Sequence, residues 1–298
     1  MSIPENIKHK FERLYKLPVV PETGQQILAL QSQPEADFKL LAQIIESDPG
    51  LTAVILRFAR SSLYGYQGKI DTIEKAISRV LGFDTVVNIS IAISFGSTMK
   101  IDRHGPLGLD QFWRHSIYTA SLTQQLAKIA TIEGCPPTGQ LYLAGLLHNI
   151  GVLILGHMFK PEFAMLNKLA MANPHAPLTL LESHLLCLGS AKDIIGLGHA
   201  RLGQYLMECW NMPEIVIAAV KEHHNFSYEG KYKHLIQLIQ LSNTLLKQDG
   251  IGDEAHNNDI DRILTDLQLE LDTVLEVKER LFTDGTDDLN SIANQMAA

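Results

Sequence analysis

Five histidines stand in contexts that could do chemistry together. They are His115 in Phe112-Trp113-Arg114-His115-Ser116, His148 in His148-Asn149-Ile150-Gly151, His199 in His199-Ala200-Arg201-Leu202-Gly203, and the adjacent pair His223-His224. Imidazoles projected inward from different helices can converge on a metal ion in a bundle core. A divalent ion held there would polarise a phosphoryl oxygen and lower the pKa of a bound water. The competing reading is plainer. A histidine on an apolar face is more often a satisfied core residue than a ligand, and these imidazoles would then hydrogen-bond to one another, to Asn149 and Asn243, and to water. The other histidines, His9, His104, His157, His175, His184, His234 and His256, lack such a context and read as structural.

The elements that must position these side chains are helices. Apolar residues recur at helical spacing nearly throughout. Ile27, Leu28 and Leu30 share one helix, Leu40, Leu41, Ile44 and Ile45 a second, and Leu51, Val54, Ile55 and Phe58 a third that Pro49 opens. A fourth carries Ile73, Ala76, Ile77, Val80 and Leu81 behind a cap at Asp71 or Thr72. The Val- and Ile-rich stretch from Val86 to Phe95 suits a strand by composition, but its flanks favour a buried helix. Further helices are expected over 112–130, 140–157, 161–172, 178–188, 199–210, 213–223 and 234–247. The polar stretch 249–258 reads as a loop, two amphipathic segments follow up to about Phe282, and the last residues read as frayed. The expected class is all-α, as two packed helical subdomains. Gly and Pro punctuate 101–108, so the division falls there, giving subdomains over 1–105 and 106–298.

Composition narrows the function classes. The formal net charge is −8 and no Lys/Arg cluster stands out, which argues against a nucleic-acid partner. No run of about 18 apolar residues appears, so no membrane span is expected. The charged N-terminus lacks an apolar signal core, and Cys135, Cys187 and Cys209 show no CxxC spacing. Both features fit a cytoplasmic chain with reduced thiols. Trp113 and Trp210 read as core anchors, Gly145 and Gly151 as permitting close helix packing, and Glu222 as a solvated helix position or a partner of the His pair.

On several motifs in order, the chain resembles HDOD-domain proteins, a divergent branch of the HD superfamily related to the HD-GYP phosphodiesterases. These motifs are Leu17-Pro18-Val19-Val20-Pro21, the run Ile44 to Thr52, Ser61 to Gly65, Ala76 to Gly82, Phe112 to Ser116 and Leu143 to Gly151. The resemblance covers about residue 10 to at least 225 and implies an HD-like second subdomain. It also makes His115, His148, His199, His223 and His224 the counterparts of that superfamily's metal ligands. Asn149 stands where active relatives carry the bridging aspartate, Asn243 where they carry a late aspartate, and Gln111 where some carry a glutamate. The lysine that often follows the motif is Val152, and no GYP signature follows His224.

Neutral amides cannot offset the charge of two divalent cations, and an amide oxygen bridges ions poorly. The resemblance with these departures implies a non-catalytic bacterial signal-transduction or interaction module. Gln111, Asn149 and Asn243 would line its vestigial pocket. No cofactor is required on this reading, or at most one loosely held divalent ion (iron, manganese, zinc or magnesium). The expected partner is a signalling protein, with a small-molecule or nucleotide ligand as a second possibility. The competing class is a metal-dependent phosphohydrolase acting on nucleotides or cyclic dinucleotides.

Overall fold

A computed structural model describes residues 18–31, 37–132, 136, 138–185, 198–253 and 260–297. The expectations for His9, Cys135, Cys187, His256 and residues 186–188 lie outside the described residues. Those described form helices and the loops that join them, with no strand among them.

Among the described residues, five α-helices precede the Gly/Pro break: α1 (Glu22–Gln31), α2 (Phe38–Glu46), α3 (Pro49–Arg60), the short α4 (Ile73–Ala76) and α5 (Phe83–Gly96). Their starts follow local chemistry. Asp37 accepts a hydrogen bond from the Lys39 amide, Asp48 from that of Leu51 with Pro49 at the first turn, and Thr72 from that of Lys75. The fourth expected helix widens into a π-helical turn over Ile77–Leu81, which Gly82 ends at φ 78. The Val86–Phe95 stretch is a helix, and it is buried along most of its length.

After the break come α6 (Leu109–Ile129), α7 (Thr138–Leu147), α8 (Ile150–Met158), α9 (Lys160–Ala172), α10 (Leu178–Leu185), α11 (Gly198–Cys209), α12 (Glu214–Glu222), α13 (Lys233–Lys247), α14 (Ile260–Leu267) and α15 (Leu271–Met296). Two expectations are corrected here. The helix expected over 140–157 is broken at His148-Asn149, where Asn149 takes φ −105 and ψ 15. Its even hydrophobicity conceals the break. The C-terminus is also not frayed beyond Phe282. Leu281, Leu289, Ile292 and Ala293 continue one buried stripe, so α15 runs to Met296. Gly139–Met158 is apolar and long enough to cross a membrane, yet 89% of its 18-residue apolar window is buried inside the fold.

The main core joins both sides of the break, from Ile27 and Phe58 through Trp113 and Leu238 to Leu289. A smaller core under α8, α9 and α10 includes Val152, Phe163, Leu178 and Leu202. α15 packs along α6 and reaches back to the N-terminal helices. There Asp288 accepts from the Ser62 amide at 2.6 Å, and Ser291 pairs with Arg57. Trp113 and Trp210 are anchors as expected. Trp113 is buried where a Cβ on Gly96 would overlap its indole, and Trp210 donates to the Pro18 carbonyl at 3.1 Å.

Candidate metal centre

The break after α7 sets the centre of the site. Ending the helix at Leu147 turns His148 into the bundle, where it is fully buried, and lets α8 restart at Ile150. The close approach of α8 to α11 depends on Gly151. A Cβ there would stand 2.6 Å from the His199 carbonyl carbon, nearer its oxygen, and 3.0 Å from the Gly203 nitrogen. Gly145 similarly lies against the Ala120 backbone of α6. Both glycines thus act in packing, and they bring three histidine-bearing elements together.

All five imidazoles meet. His115 Nε2 lies 2.9 Å from His148 Nε2, the His148 and His223 ring centroids are 5.1 Å apart, and His199 Nε2 is 3.2 Å from His223 Nε2 and 3.0 Å from His224 Nε2. Asn243 joins them, donating its amide to His148 Nε2 at 3.3 Å and accepting from the Thr119 hydroxyl. Gln111 does not join them. It lies on the exposed wall of a neighbouring cavity of about 740 Å³, whose buried side is lined by His115, Asn149 and Asp253.

The outer ring nitrogens fix the tautomers. His148 Nδ1 faces the Gly145 carbonyl at 2.7 Å, His223 Nδ1 the Val220 carbonyl at 2.9 Å, and His199 Nδ1 the Glu182 carboxylate at 2.9 Å. A carbonyl or carboxylate only accepts, so each Nδ1 donates and each Nε2 of a neutral ring presents a lone pair. His199 and His223 therefore point two lone pairs at each other. A shared cation would relieve that contact, and a ring N–H held by a carbonyl or carboxylate is the usual support of a metal-bound imidazole. Protonation of His223 is another relief, and burial opposes it. Burial, then the charge of the neighbouring imidazoles, holds His148 down at about 3 and His223 well below the ordinary histidine value.

Sequence reasoning missed two carboxylates. Asp253 stands in the loop after α13, the polar stretch read only as a connection. One of its oxygens accepts from Asn149 Nδ2 at 2.8 Å and lies 3.9 Å from His199 Nε2 and 3.8 Å from His224 Nε2. Its other oxygen is 3.8 Å from His115 Nε2. Burial opposes its ionisation, but the surrounding imidazoles outweigh that and hold its carboxyl well below the ordinary range. Gly252, at φ 98, makes the approach possible, because a side chain there would meet the His115 ring. Asn149, in the place of an acidic ligand, thus holds a carboxylate supplied by the loop. The second is Glu182 of α10, which accepts from both the backbone amide and Nδ1 of His199. Glu222 is neither solvated nor part of the cluster, and pairs with Lys221 and Asn225.

His199, His223, His224 and Asp253 offer ligand atoms that all lie within 4.8 Å of one another. Ligands about 2.1 Å from one ion stand roughly 3–4 Å apart, so a contraction of about 1 Å at the widest pair would seat a single divalent cation on this donor set. Three imidazoles and one carboxylate suit zinc, iron or manganese better than magnesium, which prefers oxygen.

Comparisons with known proteins agree with the all-helical fold. The chain matches a Marinobacter aquaeolei VT8 structure assigned to signal transduction with a TM-score of 0.81 and 30% identity, over 99% of this chain and 62% of that one. It matches a Shewanella amazonensis SB2B structure assigned as a phosphohydrolase with a TM-score of 0.72 and 19% identity, over 98% of each, a likeness of fold. It is 24% identical to an uncharacterized protein of Treponema pallidum (strain Nichols) over 83% of this chain, spanning 47% of that relative's length. The family model of the HDOD domain matches residues 17–226, and the chain belongs to that family.

Proposed function

We propose that this chain is a signal-transduction or interaction module in which the imidazole cluster serves as a closed centre for one divalent ion and does not hydrolyse phosphodiesters. The observation that carries this reading is Asp253, which lines the cavity beside the cluster, lies 3.8–3.9 Å from three of the imidazoles and has its carboxylate bonded to Asn149. A catalytic ion needs an open position for water or substrate, whereas a fourth protein ligand closes the shell. The ion would then tie α10, α11, α12 and the loop after α13 into one unit, and a signalling protein would read that unit's state. The likeness to the Marinobacter protein supports the signalling class.

A metal-dependent phosphohydrolase is the second reading, favoured by the roomy cavity beside the cluster and by the fold shared with the Shewanella protein. Two measurements on the purified chain separate them. Elemental analysis should find about one equivalent of a transition metal. Hydrolysis of nucleotides, cyclic dinucleotides and generic phosphodiesters with added manganese or ferrous iron should stay at background. Robust turnover that disappears in His148→Ala would overturn the closed-centre reading.

A further inference from the structure

Two exposed helix faces far from the centre carry complementary chemistry. On α9, Ala164, Met165, Lys168, Met171 and Ala172 share one arc, since a helix turns about 100° per residue. Met165 is 45% exposed and Met171 66%, whereas Phe163 and Leu166 on the opposite arc are buried in the smaller core. Lys160 and Lys168 are exposed beside the methionines, and neither makes an ion pair among the described residues. Burial, then the charges of Lys160 and Lys100, hold His157 below its ordinary value, so Lys100 stands at the same end of α9. Three lysines against the half-buried Glu162 leave this face positive on a chain of net charge −8.

The first turns of α15 carry the reverse. Leu271 is 44% exposed and Leu275, one turn on, 39%. Asp272, Glu276 and Glu279 lie along the same side, exposed and without an ion-pair partner among the described residues. Lys278 is already held by Asp249, and the exposed Arg280 offsets only one of the three charges. Single exposed apolar residues are ordinary, but paired ones framed by unpaired charge of one sign form a patch. Within one chain the two faces stand apart. Arg103 donates to the Asn294 carbonyl at 3.3 Å and the Leu107 amide to Asn167 of α9 at 2.9 Å, so the loop at the break ties α9 to the far end of α15. From Asn294 back to Leu275 the helix runs about 28 Å, at a rise of about 1.5 Å per residue.

We infer that α9 of one chain docks on the first turns of α15 of a second copy, with methionine and alanine against leucine and lysine against carboxylate. Charge selects this pairing. α9 on α9 would oppose lysines, and α15 on α15 would oppose carboxylates, whereas α9 on α15 gives every one of these charges a partner. The short side chains of Ala164 and Ala172 let the leucine ridge approach closely, and methionine adapts to its shape. The contact is heterologous. Each copy keeps one α9 face and one α15 face free, so pairs extend head to tail. One helix-on-helix contact buries less than the roughly 1,200 Å² of a stable interface, so the association is weak and reversible, and exposed ion pairs make it salt-sensitive. Neither face includes a residue of the imidazole centre, so assembly and metal binding are separable.

Sedimentation velocity of the full chain tests this. Between about 5 and 500 µM, the range in which contacts of this size form, the weight-average sedimentation coefficient should rise in low salt and far less in about 0.5 M salt. Lys168→Glu and Glu276→Lys, each at an exposed position, should melt like the parent and keep its metal content. Each should nonetheless weaken self-association at least about tenfold, because each sets like charges against one another. A contact of α9 on α9 would ignore Glu276→Lys, and one of α15 on α15 would ignore Lys168→Glu. Mixing the two variants should restore association that neither shows alone, since one retains the parent α15 face and the other the parent α9 face. A chain that stays monomeric at every concentration overturns the proposal. If that monomer binds phosphatidylserine vesicles and Lys168→Glu abolishes the binding, the α9 face belongs to a membrane surface instead. Association that ignores either variant, or a mixture that stays monomeric, also overturns the proposal.

Discussion

The two halves of the candidate centre are built by opposite means. The imidazoles come from a rigid helical frame, with His115 inside α6, His199 in the first turn of α11, and His148 and His223 where α7 and α12 end. The carboxylate that completes them comes from a short loop whose backbone is placed by a few bonds. The Leu178 amide donates to the Asp253 carbonyl at 3.0 Å, Lys247 to the Gly252 carbonyl, and Asn149 to the Asp253 side chain. The frame makes the imidazoles converge whatever they bind, whereas the loop decides whether their centre is open or closed. Retained histidines in a scaffold of this kind therefore do not by themselves report retained catalysis.

The largest effect should come from breaking the frame. Gly151→Ala forces a methyl against the His199 carbonyl and the Gly203 backbone, neither of which can yield without separating α8 from α11. Overpacking of this kind costs about 1–3 kcal/mol, and with backbone on both sides the upper end or beyond is expected. Chemical denaturation of the metal-depleted protein should show it. A loss under about 0.5 kcal/mol would mean that the helices are free to move apart, and that the frame is less rigid than its packing implies.

The next effect belongs to the loop. Asp253→Asn keeps the side chain's shape but removes its charge and puts an amide among lone pairs. Affinity for zinc or manganese, measured by chelator competition, should fall by well over about 100-fold, beyond the roughly 10-fold to 100-fold typical of residues that only support a ligand. Stability without metal should change far less than in Gly151→Ala, because the backbone bonds at Asp253 and Gly252 survive. Unchanged metal affinity would remove Asp253 from the centre and reopen the hydrolase reading.

This contrast also explains what was legible in the sequence. The frame was, because a helix repeats its constraint every turn: buried positions along α2 and α3 recur with the helical period. The all-α class followed from that; the helix start at Pro49 and the cap at Asp71 or Thr72, of which the structure uses Thr72, followed from local residue preferences, and the meeting of the five imidazoles from the resemblance that orders them as one ligand set. Asp253 was not legible, since one acidic residue in a polar stretch with Gly250 and Gly252 looks like solvated loop. The signal lay in the glycines, because Gly252 at φ 98 lets the loop press against His115. Glu182 was hidden for another reason. It sits on a helix among apolar neighbours, and its partner His199 is 17 positions away. The break at His148-Asn149 was masked by apolar residues on both sides of it.

A third, smaller effect distinguishes a supporting residue from a ligand. Glu182→Gln retains an oxygen that can accept from His199 Nδ1 but removes the charge that makes the imidazole a stronger donor to metal. Metal affinity should drop about tenfold, at the lower end for such partners. The pH dependence of metal uptake should also shift, which a merely structural role for Glu182 would not cause. A loss as large as that of Asp253→Asn would place Glu182 itself on the ion.

The smallest effect tests how the loop is held. The Lys278 ammonium of α15 lies 2.6 Å from an Asp249 carboxylate oxygen just before Gly250, and resembles a strap tying the C-terminal helix to the loop. Asp249 is open to solvent, however, and an ion pair with one such partner contributes between zero and about 1 kcal/mol. The inward bonds of Gly252 and Asp253 act where water is excluded, so each is harder to lose. Lys278→Ala should therefore lower stability by under about 1 kcal/mol, less still at high salt, and leave metal affinity within about twofold of the parent. If it instead weakened metal binding as much as Glu182→Gln, the loop would be positioned from its surface, and α15 would become the element through which a partner protein could open the centre.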